Sequence, residues 1–161
     1  MKPNIEASVL EFLPLAYHIY INNQIDEFLD KLNSSITMCV LLNSIRIIDS
    51  PTNSGCKNYA HRGLICRLFS SSAIRVKDNS YAVYTCKDIK IQDPEKFSLA
   101  IRNLNENINA PIAEEWVSKL LEIDDTMGGD YNPINKSIEK AIMKVAYCFD
   151  NQPQNFKYHA V

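Results

Sequence analysis

A chain of 161 residues that is 46% apolar and 22% charged has the means to build a packed core, which excludes an intrinsically disordered chain. No run approaches the roughly 18 apolar residues of a membrane-crossing helix, so no membrane partner is expected. The formal net charge of −2 is small but uneven: residues 1–50 carry three Lys/Arg against six Asp/Glu, residues 51–93 seven against three, and residues 94–161 seven against ten. A basic centre between acidic flanks suits a charged partner, although blocks this mild also occur on ordinary solvated faces.

The N-terminal stretch MKPNIEASVLEFLPLAYHIYI is broken by Glu6, Glu11 and Pro14, so it is not expected to be a signal peptide. The five scattered cysteines, Cys39, Cys56, Cys66, Cys86 and Cys148, read as free and mostly buried thiols of a reducing compartment. A cytoplasmic location is expected. Ile5, Val9, Phe12, Leu13, Ala16 and Tyr20 recur at three- and four-residue steps and predict a helix, which Pro14 kinks or splits. Ile25, Phe28, Leu29 and Leu32 predict a second, short helix. The run ITMCVLLNSIRII (36–48) is apolar nearly all round, and its length favours helix over strand. DSPTNSG (49–55) is a loop by its turn chemistry.

After that loop the period changes to two. GLICRLF, AIRVK and YAVYTCKDIKI alternate and are rich in β-branched and aromatic residues, which predicts a small antiparallel β-meander over about 63–92. On that reading Arg67, Arg75 and Lys77 line one basic sheet face. Helices return with Asp93 as N-cap and Pro94 at the first helical position. Asn109 caps the next helix, whose Ile112, Trp116, Leu120 and Ile123 are expected to point inward. DDTMGGDYNP is a turn-rich loop. The last helix starts near Asn132–Pro133 and buries Ile134, Ile138, Ala141, Ile142 and Val145, and the tail from about 151 is polar. The expected architecture is α+β in one domain, 1–161: N-terminal helices, the meander, then C-terminal helices packed on it.

Three groups of residues carry candidate chemistry. The stretch NSGCKNYAHRGLIC (53–66) holds Cys56, His61 and Cys66 with four residues in each gap, three of the four ligand positions of a zinc knuckle. Asn53 stands where the fourth ligand belongs and cannot replace a thiolate. Cys86, on a neighbouring predicted strand, is the one candidate to complete a Cys₃His set. A structural zinc site requires the closed tetrahedron, and a chain this long folds without metal. The expectation is no metal and no cofactor.

Lys57, Tyr59, His61 and Arg62, with Arg67, Arg75 and Lys77, combine cations, an aromatic ring and an imidazole, a mixture that holds phosphates and stacks bases. His61 also offers a general acid or base, with no second group identifiable beside it. The third group is acidic: Glu114, Glu115, Glu122, Asp124, Asp125 and Asp130. Its carboxylates do not alternate as a calcium loop requires, and Asn135 and Lys136 occupy the positions of the distal glutamate. These side chains suit a basic partner. Lys136, Lys140 and Lys144 repeat every four residues and read as the solvated stripe of an amphipathic helix. No P-loop, G-x-G-x-x-G, G-x-S-x-G, H-E-x-x-H or C-x-x-C is present.

Size, mild acidity and missing catalytic motifs together favour a small cytosolic, non-catalytic binding protein. It would inhibit or neutralise a macromolecular partner, as bacterial immunity proteins, antitoxins and phage-encoded inhibitors do. The expected partner is a basic protein such as a nuclease toxin, met by the acidic group. An RNA- or DNA-binding module using the basic centre is the alternative, and an enzyme using His61 the third reading.

Overall fold

Pro14 decides how the N-terminal segment folds. It enters at the start of a helix, where its missing N–H has no intrahelical partner to lose. In this computed structural model, which describes residues 5–34, 39–42, 56–85, 87–107 and 109–151, the segment splits in three. Strand β1 (Glu6–Ser8) leads into a 3₁₀ turn (Leu10–Phe12), and helix α1 (Leu13–Ile21) follows. The helix predicted from Ile5 onward therefore starts later than its periodicity suggests. Glu6 to Ser8 are drawn into an extended conformation by a partner at the other end of the chain, and Val9 already turns into the 3₁₀ segment.

That partner is strand β4 (Tyr131–Pro133), antiparallel to β1 with Glu6 opposite Pro133, Ala7 opposite Asn132 and Ser8 opposite Tyr131. Two further backbone bonds extend the pairing: Val9 N–H to the Asp130 carbonyl at 3.2 Å and Ile134 N–H to the Ile5 carbonyl at 2.9 Å. Helix α8 (Ile134–Asp150) leaves β4 directly and packs along α1. Phe12, Leu15 and Ile19 on one side and Ile138, Ala141 and Ile142 on the other are all essentially removed from solvent. Each fully buried Leu, Ile or Phe contributes roughly 1.5–3 kcal/mol by transfer out of water.

Buried polar groups in this layer are paired. Ser137 Oγ donates to the Ala7 carbonyl at 2.7 Å. Glu11 Oε1 accepts from the Ser8 N–H at 2.7 Å and from Ser8 Oγ at 3.2 Å. Helix α1 ends at Asn23, whose φ of 54° is left-handed. The Gln24 N–H reaches the Ile19 carbonyl and the Asn23 N–H reaches that of Tyr20, each at 3.0 Å, a Schellman closure. Helix α2 (Ile25–Ser34) then buries Phe28.

The described residues fall into two units by packing: Gly63–Thr126, and the residues up to Arg62 together with those from Met127 on. The second unit, Gly63–Thr126, opens with helix α3 (Leu64–Leu68). Its antiparallel pair joins β2 (Ala73–Arg75) to β3 (Tyr81–Val83) through a tight loop, in which Asn79 takes a φ of 62° and Asp78 Oδ1 accepts from the Ser80 N–H and hydroxyl. Helices α4 (Lys87–Gln92), α5 (Pro94–Glu106) and α6 (Ala113–Ile123) follow, and α7 (Asp125–Gly129) runs from this unit into the first. Asp93 caps α5 as expected, its Oδ1 accepting the Lys96 N–H at 3.1 Å. Asn105 of α5 clamps β3 with two bonds to the Tyr81 backbone, at 2.8 and 2.9 Å. Apolar burial here is thin. Among the described residues it comprises Leu68, Ala73, Leu104 and Ala113.

The α+β arrangement expected from the sequence is the one adopted, with helices before and after an antiparallel pair. The pair lies inside the 63–92 stretch, but its flanks differ from the expected strands. Residues 64–68 are helical, because the Gly63 carbonyl takes the Cys66 and Arg67 N–H groups at 3.1 and 3.3 Å, and a five-residue run satisfies either period. Ser70, with a φ of 63°, then turns the chain, so no third strand forms on that side. Residues 87–92 are also helical; Lys and Gln favour helix over strand. Of the run 36–48 only Cys39–Leu42 belongs to the described residues, where Leu42 forms a bridge with Cys56. The rest of that run, the loop 49–55 and the tail beyond Asn151 lie outside them. No helix among the described residues is long and apolar enough to cross a membrane.

The first unit's core gives a direct check. Ile138→Ala, at a site with no exposure, is expected to lower the unfolding free energy by about 2–5 kcal/mol. Met143→Ala, on the solvated side of the same helix, should stay within about 0.5 kcal/mol of wild type. Urea denaturation followed by circular dichroism measures both.

Candidate partner-binding surface

Helix α6 is anchored at its start. Ala73 N–H donates to the Pro111 carbonyl at 2.8 Å, and Ala73 bridges to Ile112 in parallel. Ala113 is buried behind this bridge. Glu114 Oε1 accepts the Arg75 N–H at 3.1 Å, so one carboxylate of the acidic group ties α6 to the edge of β2. Glu114 and Glu115 also occupy the first turn, where the exposed N–H groups of the helix favour negative charge. Beyond this anchor the helix runs into solvent. Glu115 and Glu122 are exposed, as is Asp125 in the first turn of α7, while Asp124 at the α6 C-cap is half-buried. Lys119, the one ammonium of the helix, turns its Nζ over the Trp116 ring, 4.5 Å from the centroid.

The expected inward face of α6 is only partly covered. Ile112 and Leu120 are half-buried, but Trp116 is 44% exposed and Ile123 74% exposed. The links to β2 are at the start of the helix, at Pro111, Ile112 and Glu114, while Leu121, Glu122 and Ile123 at its end are exposed.

Asp130 stands apart from the other five carboxylates. It belongs to the first unit, where both its oxygens accept from Lys140 Nζ at 3.0 Å and Oδ1 also accepts from Asn132 Nδ2 at 2.9 Å. Lys140 first, and Asn132 after it, hold this carboxyl below the usual aspartate value. With its backbone carbonyl bonded to Val9, Asp130 is a structural link between β4, α8 and the chain start. Lys140 and Lys136, which pairs with Glu139 at 2.9 Å, are therefore engaged within their own unit.

The seven candidate nucleic-acid residues divide between the units. Lys57, Tyr59, His61 and Arg62 belong to the first, and Arg67, Arg75 and Lys77 to the second. The expected basic sheet face does not form, because Arg67 sits on helix α3 and the Arg75 guanidinium leans along its cross-strand neighbour Tyr81, 3.5 Å from the phenol oxygen. In the first unit the Arg62 guanidinium lies 3.7 Å over the Tyr59 ring. The His61 ring stacks on His18 of α1, with centroids 4.4 Å apart and planes at 20°. Sequence reasoning missed His18, whose partner lies 43 positions away with nothing local to announce it.

The zinc-knuckle residues divide the same way: Cys56 and His61 lie in the first unit and Cys66 in the second, while Cys86 is outside the described residues. Among the described residues no group of three or more His, Cys, Asp or Glu is placed to hold a metal ion. Burial pushes the Cys39 thiol up by more than the backbone hydrogen bonds at Leu41 and Leu42 bring it down, so Cys39 is a poor nucleophile. Comparisons with protein-family models, with curated proteins and with solved structures each return no match.

The Asp130–Lys140 pair yields a pH prediction. A carboxyl held low in the folded chain contributes stability that is complete above its unfolded value near 4 and is lost as pH falls through the folded value. The stability difference between wild type and Asp130→Asn should therefore be full at pH 7, begin to shrink near pH 4, and vanish only below the lowered folded value. Added salt should shrink it as well, since the pair is exposed. Chemical denaturation of both proteins across that range is the measurement.

Proposed function

We propose that this chain is a non-catalytic binding protein of the cytosol that neutralises a basic macromolecular partner, in the manner of an immunity protein or antitoxin facing a nuclease toxin. The observation that carries this reading is the charge of the α6–α7 segment. Glu114, Glu115, Glu122, Asp124 and Asp125 stand against Lys119 alone, and Lys119 is turned onto Trp116. Exposed carboxylates such as Glu115, Glu122 and Asp125 add little to stability. Opposite a cationic surface they raise the encounter rate and fix orientation. A nuclease presents such a surface because its substrate is a polyanion. Asp130, committed to Lys140, is left out of the proposed contact.

The alternative, a nucleic-acid module, rests on the first unit: the Tyr59–Arg62 stack and the His18–His61 stack supply planar faces and cationic charge together. Low-salt titration with single-stranded RNA and DNA separates the two readings. Binding that weakens in Tyr59→Ala and Arg62→Ala favours the module. Catalysis by His61 has less support, since its ring is engaged face to face with His18 rather than held within hydrogen-bond reach of a reacting proton.

The acidic contact is tested with the triple variant Glu115→Gln, Glu122→Gln, Asp125→Asn. Its thermal stability should fall only slightly, because Glu115 and Asp125 each contribute about 0.3–1 kcal/mol at a helix start and Glu122 still less. With a partner captured from the native source, association at low ionic strength should slow by about tenfold, and the gap should narrow as salt rises. Equal association rates for variant and wild type at low salt would move the contact away from α6. A captured partner that keeps full activity in the complex would remove the neutralising role.

A further inference from the structure

We propose that the stripe Trp116–Leu120–Ile123 on α6 is the centre of that acidic contact, and that it takes a basic, amphipathic helix of the partner. This inference rests on the reading above and adds what the partner must present: an apolar face bordered by Lys or Arg.

Spacing makes the stripe. Residues 116, 120 and 123 recur at four and three positions, so their side chains lie within one narrow band of the helix. Such a pattern is built for burial, yet within its own unit it is left half open, with Trp116 and Ile123 exposed. Glu115 and Glu122 lie roughly 100–120° round the helix from Trp116, on one flank, with Lys119 between them and the stripe. Asp124 and Asp125 follow at its C-terminal end. An apolar strip with an acidic margin is complementary to a helix whose apolar strip has a basic margin. Trp116 fits the anchoring role: a large, stiff, partly apolar ring at the N-terminal end of the stripe, 44% exposed. The Lys119 ammonium over it is held only by a cation–π contact and its side chain is flexible, so an incoming apolar group displaces it at small cost.

Two other occupants fit less well. A second copy packed antiparallel on the same face would set Glu115 and Glu122 against their own equivalents, a like-charge juxtaposition, and one packed parallel would leave those carboxylates with no cationic counterpart. A membrane surface is anionic where it recruits proteins electrostatically and would repel the same margin. The thin apolar burial of the Gly63–Thr126 unit adds a consequence: a ligand that binds only the folded form stabilises it, and this unit has the most to gain.

Trp116 is the sole tryptophan, so the full chain reports on the site without a label. Three synthetic peptides of about 18 residues, five helical turns, serve as probes: a Leu/Lys amphipathic helix, the same composition with the pattern scrambled, and oligolysine. The amphipathic peptide is expected to shift Trp116 emission to the blue, and to bind roughly tenfold or more tighter than either control. Ile123→Ser should lose about tenfold of that affinity with unchanged circular dichroism, and hydrogen exchange should slow across 113–123 in the complex. Oligolysine binding as tightly as the amphipathic peptide, with no blue shift, overturns the stripe while leaving the acidic contact standing. No binding by any of the three at low salt overturns both. A blue shift on concentrating the protein alone, or on adding anionic vesicles, assigns the stripe to a second copy or to lipid and overturns the proposed occupant.

Discussion

The structure depends on the meeting of β1 with β4. Three residues near the start of the described chain pair with three residues more than 120 positions later. Neither strand stands alone, since a two-stranded ribbon is marginal in water. What stabilises the pair is what it brings together. Helix α1 begins shortly after β1 and helix α8 immediately after β4, so the ladder fixes both helices along one line and their apolar faces close on each other. Ser137 adds a buried bond from α8 back to the Ala7 carbonyl, and Asp130 joins β4 to Lys140 of α8. Removing any one of these weakens a contact that all the others share.

This arrangement explains which parts of the fold were legible in the sequence. Helix α8 was, because seventeen residues with apolar side chains every third or fourth position admit one reading. The start of α5 was as well, because Asp93 and Pro94 are strong local signals. Strand β1 was not. Its residues lie inside a run with helical spacing, and only the distant β4 overrules that spacing. Helix α3 failed for another reason: over five residues Leu64 and Leu68 share a face in a strand and in a helix alike, so the spacing does not separate the two. Periodicity reports that a face wants burial and says nothing of what buries it, which is why Trp116 and Ile123 read as core and stand exposed.

The candidate site was legible only in part. The carboxylates of α6 and α7 were visible from composition, since five acids within twelve residues need no fold to be noticed. That Asp130 belongs to a different task could not be read, because Lys140 looked like one member of a lysine stripe ten positions on. The same holds for Glu114, whose bond to the Arg75 backbone joins residues 39 apart in sequence. Charge counts overstate a binding surface whenever part of the charge is consumed internally. The structure trims the acidic group to the members that face outward.

The two units also differ in how their stability is organised. The first has a continuous apolar layer between α1 and α8, with Ser8, Glu11 and Ser137 paired inside it. The second is held largely by directed bonds: the Asn105 clamp on Tyr81, the Glu114 link to Arg75 and the bridge from Ala73 to Ile112. Directed bonds fix geometry well but add only about 1 kcal/mol each, against several times that for a buried apolar side chain with its packing. A unit built this way holds α6 in a defined orientation while leaving its apolar stripe uncovered. A binding surface requires both properties, because a stripe already buried by its own unit has no driving force left to offer, and one on an unanchored helix must be ordered at the moment of binding.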